Sequence, residues 1–180
     1  YDNFGRTSTK TIDFSINGSD AFYNKLTYDY KANSGYESAW VSQVISEVRQ
    51  GTNTGVLSST TYNYTYDANG NITQITNASG VIQNKYYYDD LCQLYREDNR
   101  TKGYSYVYEY DNAGNITAKK TYAFTTGTLG TVQSTINYTY GDASWKDLLT
   151  KYGSTSITYD MIGNPLTIGE KELAWEGRQL

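Results

Sequence analysis

Tyr62-Asn-Tyr-Thr-Tyr66-Asp67-Ala-Asn-Gly70-Asn71-Ile72-Thr73-Gln-Ile75-Thr76 decides the fold. Tyr62, Tyr64 and Tyr66 alternate with Asn63 and Thr65, the period-two pattern of a strand with one aromatic face. Asp67-Ala-Asn-Gly70 then places an aspartate at the first position of a tight turn and a glycine at the fourth. The carboxylate can accept from backbone amides just ahead of it, and glycine takes the left-handed conformation at little cost. A return strand rich in Ile and Thr begins at Asn71, so the stretch predicts a β-hairpin.

The unit recurs outward from there. Tyr104-Ser-Tyr106-Val-Tyr108-Glu-Tyr110-Asp111-Asn-Ala-Gly114-Asn115-Ile116-Thr117 repeats it almost residue for residue. Tyr1-Asp2-Asn-Phe-Gly5-Arg6 and Tyr159-Asp160-Met-Ile-Gly163-Asn164 are further copies, and Tyr88-Asp89-Asp-Leu-Cys92 is a degenerate one with Cys in place of Gly. Tyr66, Tyr88 and Tyr110 follow one another at intervals of 22 residues, which marks a repeat architecture. The turn-forming residues are therefore Asp2, Gly5, Asp67, Gly70, Asp111, Gly114, Asp160 and Gly163. The fold class is all-β, made of consecutive hairpins. The array divides into irregular repeats over 1–61, regular hairpins over 62–124, and repeats with an insertion over 125–180.

Composition agrees with such an array. Tyr, at 21 of 180 residues, outnumbers Phe at 4 and Met at 1, so any core is built from tyrosine rings. Each ring buries apolar area but needs a partner for its hydroxyl, which suits a half-wet sheet. A net charge of −4 with scattered charges gives no basic footprint for nucleic acid. The absence of His removes Ser-His and Cys-His catalysis and the commonest zinc ligand. Cys92 is alone, so no intrachain disulfide forms. No apolar run has membrane-spanning length. Asp67, Asp111 and Asp160 occupy equivalent turn positions, which favours backbone bonding over paired-carboxylate chemistry. No catalytic residue, cofactor or metal site is expected. Sequons at Asn17, Asn63, Asn71, Asn77, Asn99, Asn115 and Asn137 follow from a composition rich in Asn, Ser and Thr.

Elsewhere the expectations are local. Strands are predicted over 11–16 and 23–30, with Asn17-Gly18-Ser19-Asp20 as a loop. Residues 36–50 fit a helical face through Trp40, Val41, Val44, Ile45 and Val48, with Ser34 and Glu37 as a capping box and Gly51 as the stop. They also fit a strand, which the surrounding repeats favour. Gly51–Ser59 reads as a flexible connection. Gly141 to Leu149 departs from the repeat as a turn or a single helical turn anchored by Trp145. Lys171 to Trp175 begins another strand, ending in a shortened turn at Glu176-Gly177-Arg178.

The Tyr-Asp-x-x-Gly-Asn/Arg units at 1–6, 66–71, 110–115 and 159–164, with Trp175–Leu180 as a variant, resemble the YD-repeat or RHS-repeat family. Trp145-Lys-Asp-Leu-Leu and Trp-Glu-Gly-Arg-Gln-Leu are similar to bacterial members. The resemblance implies hairpins wound into a curved, spiralling antiparallel sheet that closes as a hollow shell. Shells of this kind enclose a toxic C-terminal domain in bacterial RHS and insecticidal toxin-complex proteins, and form the barrel of animal teneurins. It also implies a secreted or cell-surface parent protein, from which this chain reads as an excised piece. The expected partners are neighbouring repeats and an enclosed C-terminal toxin. Open sheet edges imply self-association as well. The alternative function is a carbohydrate-binding module in which Trp40, Trp145 and Trp175 stack on glycan. Recurrence of the aromatic residues at fixed repeat positions favours a structural role.

Overall fold

The computed structural model describes residues 1–16, 19–33, 36–50 and 55–176. The described residues contain fourteen antiparallel strands and no helix, with hydrogen-bonded neighbours following sequence order. Two compact units divide the chain, at Tyr1–Tyr87 and Tyr88–Leu180.

The first unit is built from β1 (Thr9–Ile16), β2 (Ser19–Asn33), β3 (Tyr36–Gln50), β4 (Val56–Tyr66), β5 (Ile72–Thr76) and all but the last residue of β6 (Ile82–Tyr88). Residues 36–50 are strand, so their β-branched side chains and strand neighbours prevail over the helical pattern. β3 pairs with β2 on one side, Val44 opposite Tyr28, and with β4 on the other, Val44 opposite Tyr62. Two loop expectations need correction. Ser19 and Asp20 already belong to β2, and Val56–Ser59 belong to β4, because their amides are taken up by partners in β1 and β3. Asn17 and Gly18 of the expected loop, Ser34 of the expected cap pair with Glu37, and Gly51–Thr54 of the expected connection lie outside the described residues. β1 is hydrogen-bonded to β2 alone among the described strands.

The second unit continues with β7 (Leu94–Asn99), β8 (Tyr104–Tyr110), β9 (Ile116–Ala123), β10 (Ser134–Thr139), β11 (Lys151–Tyr152), β12 (Thr155–Tyr159), β13 (Pro165–Ile168) and β14 (Lys171–Glu172). The strand expected from Lys171 to Trp175 is confined to Lys171–Glu172. The turn at Glu176-Gly177-Arg178 runs outside the described residues. β14 pairs with β13 alone among the described strands.

Burial is shallow throughout. Tyr106 and Ala118 are the buried apolar side chains among the described residues, and most strand positions are half-buried. With aliphatic residues scarce, hydrogen-bonded ladders and tyrosine rings replace a thick apolar layer. The most enclosed region lies where β7, β8 and β9 meet. There Asp98 and Ser105 stand opposite one another, both with no solvent exposure.

Candidate functional site

The turn is built the same way each time. Asp67 Oδ1 accepts from the backbone N–H groups of Asn69 and Asn71, both at 2.9 Å. The Asp67 N–H donates to the Asn71 carbonyl at 3.0 Å, and the Gly70 N–H donates to the Asp67 carbonyl at 3.3 Å. The Asn71 side-chain amide closes the set on Asp67 Oδ2 at 2.9 Å. Asp111 repeats these bonds with Ala113, Gly114 and Asn115, and Asp160 with Ile162, Gly163 and Asn164. At the N-terminal copy, Arg6 replaces the asparagine and brings its guanidinium Nε to Asp2 Oδ2 at 2.6 Å. Asp89 makes the two amide contacts with Leu91 and Gln93.

One further copy was not expected from the residue types. In Asn77-Ala-Ser-Gly80 the Asn77 Oδ1 accepts from the N–H of Ser79 at 3.0 Å and of Val81 at 2.9 Å, just as the aspartates do. A neutral amide oxygen therefore suffices for the geometry.

The fourth position takes a positive φ in every copy, from +60° at Cys92 to +89° at Gly163. Cys92 is the non-glycine residue among the described positions that adopts this conformation, which strains an L-residue by roughly 1–2 kcal/mol. Its thiol is exposed.

A bulge follows the turn. Tyr66 faces Ile72 while Thr65 faces Gln74, which leaves Thr73 as the extra residue. Thr117, Leu166 and, after the Asn77 turn, Gln83 occupy the same place. Such bulges increase local twist, so each repeat imposes the same bend on its strand pair.

The aromatic residue that ends the outgoing strand is a latch. Tyr66 donates its hydroxyl to the Val41 carbonyl, Tyr110 to Leu94 and Tyr159 to Leu149, each at 2.7 Å. Tyr30 does so to Thr7 at 2.9 Å and Tyr140 to Ile116 at 3.0 Å. In β2 the latch is thus Tyr30, displaced from the Tyr28-Asp29 pair that resembles the motif. Trp175 makes the equivalent bond with its indole N–H, to the Pro165 carbonyl at 2.7 Å. Each ring spans to the preceding strand or its approach, buries apolar area and satisfies its polar tip. Burial pushes the Tyr66, Tyr110 and Tyr140 hydroxyls up, keeping them protonated donors.

Two tryptophans close over turn glycines. Trp40 stacks on Tyr66 at 5.2 Å, and a Cβ on Gly70 would lie 3.1 Å from its Cζ2. Trp145 covers Gly163 so closely that a Cβ there would be 2.8 Å from its Cζ3 and Cη2. Asp142 Oδ1 holds the insertion in place by accepting from Ser144 and Trp145 N–H, and Asp147 accepts from the Asn115 side chain at 3.1 Å. The insertion is a turn, with Leu148 N–H donating to the Trp145 carbonyl. Trp145 remains 49 % exposed.

Electrostatics follow the bonds. The Asn71 side-chain amide is the largest contribution holding the Asp67 carboxyl below the usual carboxylate range, and the Asn115 N–H does the same for Asp111. At Asp2 and Asp160 partial desolvation pulls upward, and the donors of Arg6 and Asn164 outweigh it. Each carboxylate is thus committed to the backbone of its own turn. No cluster of three or more His, Cys, Asp or Glu side chains able to hold a metal occurs among the described residues. Among the described residues no helix is long and apolar enough to cross a membrane.

Sequence reasoning passed over the buried ion pair of β7. Arg96 Nε and Nη2 meet Asp98 Oδ1 and Oδ2 at 2.8 and 3.1 Å. Nη2 also reaches the carbonyls of Thr125 at 3.0 Å and Gly127 at 2.8 Å, and Ser105 Oγ reaches Thr125 O at 3.0 Å. Together they tie the 124–130 loop to the sheet. The available signal was the spacing of two in a strand, which puts Arg96 and Asp98 on one face.

Residues 54–82, running from the approach to β4 through the turns at Asp67 and Asn77, match the RHS Repeat family model. The chain carries an RHS repeat. The turn, bulge and latch of that RHS repeat recur at Asp111 and Asp160, which extends its geometry into the second unit. No curated protein matches the chain.

Proposed function

We propose that this chain is a wall segment of a larger RHS-repeat protein, a shell that encloses or displays a toxic C-terminal domain in bacterial competition or virulence. The observation that carries the reading is the turn, bulge and latch repeated along an antiparallel sheet containing an RHS repeat. The turn carboxylates serve the backbone, and the tyrosines hold adjacent strands together. That is the chemistry of a wall, and it assigns the chain no catalytic step. Its partners are then neighbouring repeats and the enclosed toxin. The parent protein belongs at the cell surface or outside the cell.

In the full-length protein carrying this segment, protease added to the native particle should leave the cargo intact. Gly163→Ala, which drives a methyl into Trp145, should render it cleavable. Cargo digested equally in both proteins, or protected equally in both, contradicts the proposal. A glycan-binding reading rests on the half-exposed ring of Trp145. Saturable sugar binding abolished by Trp145→Ala would favour it. Trp40 and Trp175 are occupied by Tyr66 and the Pro165 carbonyl.

A further inference from the structure

We propose that Tyr138 and Tyr152 form an oxidative modification site, at which a one-electron oxidant of the peroxidase–peroxide class joins β10 to β11 through a dityrosine bond. The inference is independent of the shell reading. Tyr138 and Tyr152 are register partners, and the bond from the Gly153 N–H to the Asn137 carbonyl at 2.8 Å flanks them. They therefore occupy a non-hydrogen-bonded pair, the site in an antiparallel ladder where facing side chains approach most closely. Their ring centroids lie 5.1 Å apart with the planes at 86°, so the edge of one phenol points at the other. The Tyr104–Tyr106 pair is wider, at 6.2 Å, and lies along a single strand, where coupling would join no separate elements.

Access and environment suit the chemistry. Tyr152 is 41 % exposed and Tyr138 half-buried, so an oxidant reaches one ring while the other is held against it. Burial and the neighbouring Tyr152 push the Tyr138 hydroxyl up, so Tyr138 meets the oxidant as a neutral phenol. Each phenol loses one electron and one proton to give a tyrosyl radical. The two radicals couple at carbons ortho to the hydroxyls, and each ring regains aromaticity as its ortho hydrogen moves to oxygen. Hydrogen peroxide accepts the two electrons and two protons and leaves as two waters. The product retains both hydroxyls and is lighter by two hydrogen atoms. It closes residues 139–151, which include the insertion bearing Trp145, into a covalent ring.

The test treats the intact chain, dilute enough to suppress contacts between molecules, with a peroxidase and hydrogen peroxide. Dityrosine fluorescence should appear in monomers on a denaturing gel. After trypsin cuts at Lys146 and Lys151, the peptides bearing Tyr138 and Tyr152 should remain joined, two hydrogens short of their summed mass. Tyr152→Phe should lower the intramolecular signal at least fivefold, while Tyr104→Phe leaves it unchanged, both variants retaining the β-sheet circular dichroism of the parent. Tyr138→Phe provides an independent check should Tyr152→Phe lose that spectrum. Dityrosine undiminished in these pair variants, or cross-links spread over other tyrosines, would overturn the proposal.

Discussion

Replacing Gly163 by alanine separates the two demands that the structure places on the fourth turn residue. Gly80, Gly70 and Gly163 all have positive φ, at +76°, +88° and +89°. A Cβ on Gly80 meets nothing within 4 Å, one on Gly70 approaches Trp40 Cζ2 to 3.1 Å, and one on Gly163 falls 2.8 Å from Trp145. The left-handed conformation alone costs an alanine roughly 1–2 kcal/mol, and the stiffer unfolded chain returns about 0.4–1 kcal/mol. Gly80→Ala should therefore destabilise by about 0–1.6 kcal/mol. These terms are common to the three sites, so differences between them report the steric contact. Forcing a methyl against an indole held by neighbouring hydrogen bonds adds roughly 1–3 kcal/mol. Urea unfolding followed by tryptophan fluorescence should rank the losses Gly163→Ala greatest, Gly70→Ala intermediate and Gly80→Ala least. In a Trp145→Ala background the excess at Gly163 should disappear, a coupling of about 1–3 kcal/mol. Equal losses at Gly80 and Gly163, or a Gly163 penalty unaffected by removing Trp145, would refute the claim that Trp145 sits on this turn.

Other perturbations probe neighbouring parts of the account. Cys92→Gly should relieve backbone strain at φ +60° and stabilise by about 0.5–1 kcal/mol once the added unfolded-state freedom is subtracted, measurable as a higher urea midpoint. Arg96→Met should destabilise by roughly 3–5 kcal/mol because it strands the buried Asp98 carboxylate. Hydrogen exchange around residues 124–130 should quicken at the same time, since Arg96 anchors the Thr125 and Gly127 carbonyls. The depressed carboxyls of Asp2, Asp67, Asp111 and Asp160 make the unfolded chain the stronger proton binder. Their contribution is complete above the ordinary value of 3.8 and is lost as pH falls through the lower folded values. Thermal melts between pH 6 and pH 2.5 should show that loss, and replacing the four aspartates by asparagine should flatten it.

The hairpin order and the Asp–Gly turns were legible because each depends on residues adjacent in sequence. Alternating tyrosines name a strand, and the Asp67–Gly70 spacing names its turn. The choice of strand over helix for 36–50 needed only the surrounding repeats, since the two periodicities there were balanced. What sequence could not give was contact at long separation. Nothing local marks Tyr66 as donating to Val41, or Trp145 as covering Gly163, because both depend on strand register. The Asn77 turn was not legible as a member of the series, since Asn77 stands where the motif has its aspartate. Bulges at Thr73, Thr117 and Leu166 were hidden for the same reason as the latches. An extra residue becomes visible only when the partner strand is known.

The central claim is that one turn, closed by a side-chain oxygen on the amide two and four residues ahead, is repeated along the sheet. It is tested most directly by following backbone amide resonances in a nitrogen-15 NMR titration from pH 6 to pH 2.5. The N–H groups of Arg6, Asn71, Asn115 and Asn164, each bonded to a carboxylate at 2.9 Å, should shift together as the carboxyls protonate below 3.8. Val81, bonded at 2.9 Å to the neutral oxygen of Asn77, should not titrate with them. A titrating Val81 amide, or static amides at the four aspartate turns, would contradict the account.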